Sequence, residues 1–385
     1  MVERMIFEFA TAGRVLFGPG RSAELAGVVA ELGSRALVCT GSDPARHADL
    51  LTRLTLPHMV ASVDREPTVE AARSLTAQAR GFGADVVVAI GGGSPLDLGK
   101  AVAALLANEG DPLDYLEVIG RGEALTRPAV PTVAVPTTAG TGSEVTANAV
   151  LRSPEDGVKA SLRSPYLLPR VALVDPMLTV GCPPSVTASS GLDALTQCLE
   201  PFVSVRANPV TDAFAREGLR RAGQSLRTAY ADGSDVDARG DMMLCSLLGG
   251  LALANAKLGT VHGFASAIGG LADVPHGLAC ATLLVPVTVA NIRALRTREA
   301  GNPVLGRYAQ AAALLTGVAD AAEAHLLDWL RETVERLDVP RLAEYGVRPE
   351  DADVIVTRTA AASSTQGNPV KLTADELHAA LASAY

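Results

Sequence analysis

The spacing of apolar positions changes repeatedly over the first 178 residues. Short β-rich runs at 14–18 (RVLFG), 35–40 (RALVCT), 58–63 (HMVASV), 85–93 (DVVVAIGGG), 132–138 (TVAVPTT) and 170–176 (RVALVDP) predict strands. Between several of them, 21–33 and 68–83 place apolar residues at helical spacing. This alternation predicts a mostly parallel sheet covered by helices. The run Val86–Ile90 is apolar at every position, as a strand buried on both faces would be.

After Pro176 the period is helical. The segments 189–202, 211–226, 239–256 and 303–315 all read as helices, and few strand runs remain. The stretch 251–268 (LALANAKLGTVHGFASAI) reads as one helix, and Pro275 suits the first turn of another. Gly181, Pro183 and Pro184 suit a connection between domains. The expected organisation is an α/β domain over 1–178 with a mostly parallel sheet, then an all-helical domain over 179–385.

Composition narrows the class. At 385 residues the chain is long for one core and suggests two domains. A net charge of −9 and 4% aromatic residues argue against nucleic acid or an anionic membrane as partner. The five cysteines are scattered without a CxxC pair, which predicts reduced thiols in a cytoplasmic protein. The first twenty residues lack the pattern of a signal peptide, and no apolar run predicts a membrane-spanning helix.

Two loops carry nucleotide chemistry. Gly91, Gly92, Gly93 and Ser94 lie between a strand and a helix, where backbone can approach a phosphate and a helix N-terminus offers free N–H groups. Alone, such a run is equally a tight turn. A second loop, TTAGTGSEVTANAV, follows another strand and brings Thr137, Thr138, Thr141, Ser143 and Thr146 around Gly140 and Gly142. Two such loops at strand ends favour a dinucleotide at the carboxyl edge of the sheet. Lys100 follows Asp97 at ion-pair spacing, and Lys159 lies within reach of a ribose; a solvent-facing lysine is the alternative for each.

A third constellation suggests a divalent metal. Asp193, His262 and His276 lie in apolar, glycine-bearing segments on three different predicted helices. Converging side chains from separate helices build metal sites that polarise a carbonyl or activate an alcohol. Gln197, four residues after Asp193, shares its helix face and stands where another histidine would be wanted.

These motifs, in this order, make the chain resemble the iron-containing, or group III, alcohol dehydrogenases, whose architecture is dehydroquinate synthase-like. That family is related to lactaldehyde and propanediol oxidoreductases, glycerol dehydrogenase and maleylacetate reductase. The matching segments are FGPG, GGGSPLDLGKAVA, PTTAGTGSEVTANAV, VDPMLT, GLDALTQCLE, LGTVHGFA and PHGLACATLLVP, spread over nearly the whole chain. The resemblance implies NAD or NADP in the first domain, with Gly92 and Gly93 at the diphosphate. It implies Thr137, Thr138, Thr146, Asn148, Lys159 and Leu178 along the dinucleotide, with Asp97 near nicotinamide and substrate. Asp193, His262 and His276 would hold Fe²⁺ or Zn²⁺, and an alcohol or aldehyde would sit in the cleft between domains and exchange hydride with nicotinamide C4. A homodimer or larger homo-oligomer is expected from the same resemblance.

Three departures stand out. Gln197 replaces the usual fourth histidine ligand, and an amide oxygen is weaker than imidazole for iron or zinc. Ser266 replaces a histidine often found on the substrate side, which removes a proton relay and opens space. Gly41 stands where NAD-preferring members often carry aspartate; without that carboxylate a 2′-phosphate is tolerated, and Ser42 and Arg46 could favour it. A metal-independent reductase of the maleylacetate type and a non-catalytic nucleotide-binding member are the competing readings.

Overall fold

The computed structural model describes residues 6–385. Its strands are β1 (Val15–Phe17), β2 (Ala36–Gly41), β3 (His58–Val63), β4 (Val86–Gly91), β5 (Thr132–Pro136), β6 (Asn148–Ser153), β7 (Val158–Arg163) and β8 (Val171–Val174). The helices of the first half are α1 (Leu25–Leu32), α2 (Ala48–Arg53), α3 (Val69–Phe82), α4 (Gly93–Ala107) and α5 (Pro112–Tyr115). Then follow α6 (Pro184–Val203), α7 (Pro209–Ala231), α8 (Val236–Ala256), α9 (Thr260–Leu271), α10 (His276–Arg298), α11 (Val304–Thr316), α12 (Glu323–Arg336), α13 (Ala352–Ala361) and α14 (Ala374–Ala382).

Six strands form one parallel sheet in the order β1-β8-β5-β4-β2-β3. The all-apolar β4 is buried on both faces, as its sequence predicts. Val86, Val88 and Ile90 join Val28 and Val29 of α1 in one core, while Val87 and Ala89 join Leu75 of α3 and Val102 of α4 in another. All six predicted strands form. The antiparallel pair β6–β7 is an addition that the sequence reading did not contain.

The second half is helical and shares one large core, to which α6, α7, α9 and α10 all contribute. A separate cluster joins the halves: Met243, Leu247, Leu248 and Leu251 of α8 pack on Ala172 and Val174 of β8 and on Val145. By itself α10 is long and apolar enough to cross a membrane, but 67% of its most apolar window is buried, so that apolarity serves the core.

One helix expectation fails. The stretch 251–268 is not continuous: α8 ends at Ala256, α9 starts at Thr260, and the two axes bend by 96°. Lys257 takes φ 61°, and Gly259 is extended at the N-cap of α9. A residue with positive φ and extended ψ (61°, 164°) at the end of α8 cannot continue the helix and redirects the chain. The break carries His262 to the first turn of a new helix, beside α6.

Candidate active site

The sheet order creates a crevice. From β2 the chain passes outward to β3, whereas from β4 it passes to β5 on the other side. At such a switch point the loops leaving two adjacent parallel strands diverge, and a ligand can enter between them. Gly41 ends β2 and Gly91 ends β4, so the two glycines flank this crevice, with Thr137 directly after neighbouring β5. Gly91 has φ +148°, and a Cβ there would lie 2.7 Å from Pro95 Cγ. Ser42 and Arg46 are exposed at its rim, with Arg46 paired to Asp43 at 3.5 Å.

The two glycine- and threonine-bearing loops touch. A Cβ on Gly92 would sit 3.2 Å from Thr138 Oγ1, and one on Gly93 would sit 2.8 Å from Thr141 Cγ2. Gly92 is the N-cap of α4 and makes no side-chain cap, so the first N–H groups of that fifteen-residue helix, including that of Ser94, face the crevice without a protein cap.

Other predicted residues lie deeper. Asp97 accepts a hydrogen bond from Ser143 Oγ (2.6 Å) and from the Val150 amide (3.0 Å), and pairs with Lys100 at 3.1 Å. Lys100, 1% exposed, also donates to the Ser143 carbonyl (2.9 Å) and to Thr146 Oγ1 (3.2 Å). Asp97, Lys100 and Thr146 therefore brace the Thr-rich loop from below. Asn148 begins β6 and is half-buried. Lys159, on β7, pairs with Glu66 and lies against Gly269 of α9. Leu178 packs beneath the sheet's α1 face.

The metal candidates converge. His262 Nε2 lies 3.3 Å from Asp193 Oδ1, and His276 Nε2 lies 3.9 Å from the same oxygen. The two rings are 5.4 Å apart at an angle of 52°. Asp193 comes from the middle of α6, His262 from the first turn of α9 and His276 from the first residue of α10. Asp193 Oδ1, His262 Nε2 and Gln197 Oε1 are all buried and have no hydrogen-bond partner among the described residues. Buried polar atoms are nearly always satisfied, so the orphaned Asp193 Oδ1 and His262 Nε2, 3.3 Å apart, fit a cation.

Charge within the cluster follows the same logic. Burial alone would lift the Asp193 carboxyl, but His276, His262 and Cys280 overcome it and hold it below its ordinary range. Burial would likewise pull His262 down; Cys280, Asp193 and Glu200 outweigh it and hold the imidazole well above its usual value. His276 is raised in the same way, mainly by Cys280 and Asp193 against burial.

Two residues of this site escaped the sequence reading. Glu200 accepts from His262 Nδ1 at 2.7 Å, which fixes the tautomer and turns Nε2 toward Asp193. It stands seven residues after Asp193, on the same α6 face, and that spacing was the available signal. Cys280, expected only as one of five scattered reduced thiols, is fully buried with Sγ 3.8 Å from His276 Nε2. The ligand atoms of Asp193, His262, His276 and Cys280 all lie within 4.8 Å of one another.

The crevice and the cluster share a wall. A Cβ on Gly140, in the Thr-rich loop, would meet Ser190 Cβ at 2.9 Å; one on Gly277, beside His276, would meet the Ser189 carbonyl at 2.6 Å. Residues 189 and 190 thus touch both the nucleotide loop and the start of α10, one turn before Asp193.

Comparison with known proteins agrees with this geometry. Residues 12–176 match the iron-containing alcohol dehydrogenase model, and residues 187–385 match the C-terminal model of the same family. The 1,3-propanediol dehydrogenase of Klebsiella pneumoniae is 39% identical over 308 residues, covering 78% of this chain and 76% of the relative. The crystal structure of a 1,3-propanediol oxidoreductase superposes with a TM-score of 0.91 at 34% identity, over 99% of this chain and 100% of that one. The sulfoacetaldehyde reductase of Bifidobacterium kashiwanohense, solved with NAD⁺, superposes with a TM-score of 0.86 at 27% identity over 99% of both chains. With both halves matched and the site assembled between them, this chain belongs to the iron-containing alcohol dehydrogenase family.

Proposed function

We propose that the substrate lies where the Thr-rich loop, α6 and the start of α10 meet, between a dinucleotide at the carboxyl ends of β2, β4 and β5 and a metal held by Asp193, His262 and His276. The chain is a metal-dependent, nicotinamide-linked alcohol dehydrogenase and aldehyde reductase, an oxidoreductase of CH–OH groups. The placement rests above all on Ser189 and Ser190, which touch the Thr-rich loop on one side and Gly277 on the other.

When bound, the nicotinamide supplies hydride exchange at C4 and the divalent metal supplies Lewis acidity at the substrate oxygen. The chain's own residues set the geometry for that exchange. Glu200 orients His262. Asp97 and Lys100 fix the Thr-rich loop from below, which would hold a bound dinucleotide in place beside α6. We assign Asp97 this positioning role beside the nicotinamide. A metal-independent reductase would leave the orphaned atoms of Asp193 and His262 without purpose.

Short, hydrophilic aldehydes and their alcohols are the proposed substrates. The relatives named for 1,3-propanediol and sulfoacetaldehyde support this, as does the part-exposed His276. The proposed division is 1–178 for the dinucleotide and 179–385 for the metal, in a cytoplasmic homodimer or larger homo-oligomer. Purified protein given NADH or NADPH with Zn²⁺ or Fe²⁺ should consume reduced cofactor in the presence of short aldehydes. Cofactor binding without turnover of any aldehyde under either metal would sink the assignment.

A further inference from the structure

We propose that Cys280 is a metal ligand of this chain, supplying a thiolate that replaces the imidazole missing at Gln197 and tunes the site toward zinc rather than iron. This rests on the metal-dependent reading above and goes beyond it by naming the fourth donor.

The geometry carries the proposal. Cys280 lies one helical turn after His276 on α10, so both side chains leave the same face. Ligand bonds of about 2.1 Å for N or O and about 2.3 Å for S give tetrahedral edges of about 3.4 Å between N and O donors and about 3.6 Å between N and S. The observed separations are 3.3 Å for Asp193–His262, 3.9 Å for Asp193–His276 and 3.8 Å for His276–Cys280. Two of these lie within about 0.2 Å of an edge and the third, Asp193–His276, within about 0.5 Å. The sulfur is fully buried, beside orphaned Asp193 Oδ1 and His262 Nε2.

Chemistry then separates the two candidates for the fourth position. Gln197 offers a neutral amide oxygen, the weaker donor for a transition metal, from a side chain wedged against Gly249 of α8. Cys280 offers a soft anion once its thiol proton is released to solvent on metal binding. Thiolate selects zinc over harder cations, and zinc still accepts a fifth, oxygen ligand, so four protein donors do not close the site to substrate.

Cobalt(II) titration of the metal-free protein under anaerobic conditions tests this without reference to turnover. The wild type should develop a near-ultraviolet sulfur-to-cobalt charge-transfer band together with visible ligand-field bands. Cys280→Ala and Cys280→Ser should lose the former and keep the latter, with zinc bound more weakly than by the wild type. Gln197→Ala should keep both. Ligand-field bands in the wild type without a charge-transfer band, or a charge-transfer band that survives in both Cys280 variants, overturns the thiolate assignment while leaving the metal site standing. Absence of cobalt binding in the wild type, or binding unaffected by His262→Ala, overturns the metal reading itself and the thiolate assignment with it.

Discussion

Glu200 Oε2 lies 2.7 Å from His262 Nδ1, so one buried carboxylate decides which nitrogen of the imidazole faces Asp193. The same carboxylate accepts from the amides of Gly259 (2.9 Å) and Val261 (2.7 Å), and so caps the N-terminus of α9. Glu200 thus builds the helix turn and aims the histidine at once. In Glu200→Gln one acceptor oxygen becomes an amide NH₂ that donates toward another donor. Zinc affinity should fall about tenfold to a hundredfold, and stability should fall by about 1.5–3 kcal/mol as charged hydrogen bonds are lost. Competition against a chromophoric chelator and thermal melts of the apo protein measure the two effects separately. Unchanged zinc affinity would mean that the tautomer is set elsewhere.

Beneath the Thr-rich loop, Glu144 is fully buried with neither carboxyl oxygen hydrogen-bonded among the described residues, and burial pushes it from an ordinary 4.5 up to about 7. Lys100 opposes that shift without cancelling it. Below pH 4.5 the folded and unfolded chains both hold the proton, and nothing is lost. Between pH 4.5 and about 7 the unfolded chain has released a proton that the folded chain still holds, so stability declines across this window and levels off above it. The full loss is on the order of 3 kcal/mol. Glu144→Gln removes the titration. Denaturant melts should show the variant gaining on the wild type as pH rises from 5 to 8.5; a pH-independent difference would place Glu144 outside this linkage.

The metal triad was legible because its residue types are rare and its three segments carry helical spacing. The strands were legible because β4 and its neighbours are buried on both faces and leave no polar interruption. The β6–β7 pair was not, although Ala149, Leu151 and Ser153 alternate inward along β6. The hydroxyls just upstream pointed to ligand chemistry and masked a period of two. The break between α8 and α9 depends on Lys257 at φ 61°, a conformation that a lysine does not advertise. Cys280 sits at helical spacing from His276, but a thiol outside a paired motif carries no metal signature until the fold brings Asp193 and His262 beside it.

The loop also meets α8 backbone to backbone. Gly142 has φ +60°, and a Cβ there would lie 2.5 Å from Gly250 Cα; one on Gly250 would lie 2.6 Å from the Gly142 carbonyl oxygen. Gly142→Ala should therefore cost about 2–4 kcal/mol, combining left-handed strain with overpacking. Gly250→Ala lacks the backbone strain and gains helix propensity, so its loss should be smaller. Both should weaken dinucleotide binding, because neither backbone can move without shifting Thr137 and Thr138. Melts read beside NADH titrations would show stability and cofactor affinity falling together; normal affinity in both variants would detach this contact from the nucleotide site.

The end of β2 should decide between the two nicotinamide cofactors. Gly41 flanks the crevice, and a Cβ added there meets nothing within 4 Å, so a side chain fits without displacing its neighbours. Arg46, nearby in the turn 44–47, is exposed and paired only at 3.5 Å to Asp43, which leaves it able to approach an added phosphate. In Gly41→Asp the new carboxylate would repel a 2′-phosphate and accept hydrogen bonds from ribose hydroxyls. The kcat/KM with NADPH should fall about tenfold to a hundredfold, equivalent to about 1.4–2.8 kcal/mol, while that with NADH holds or rises. Arg46→Ala should lower the NADPH value alone and by less, because its charge is shared with Asp43 and screened by solvent. If Gly41→Asp leaves the ratio of the two cofactors unchanged, the ribose does not lie against the end of β2, and the dinucleotide must run along β4 and β5 in another orientation.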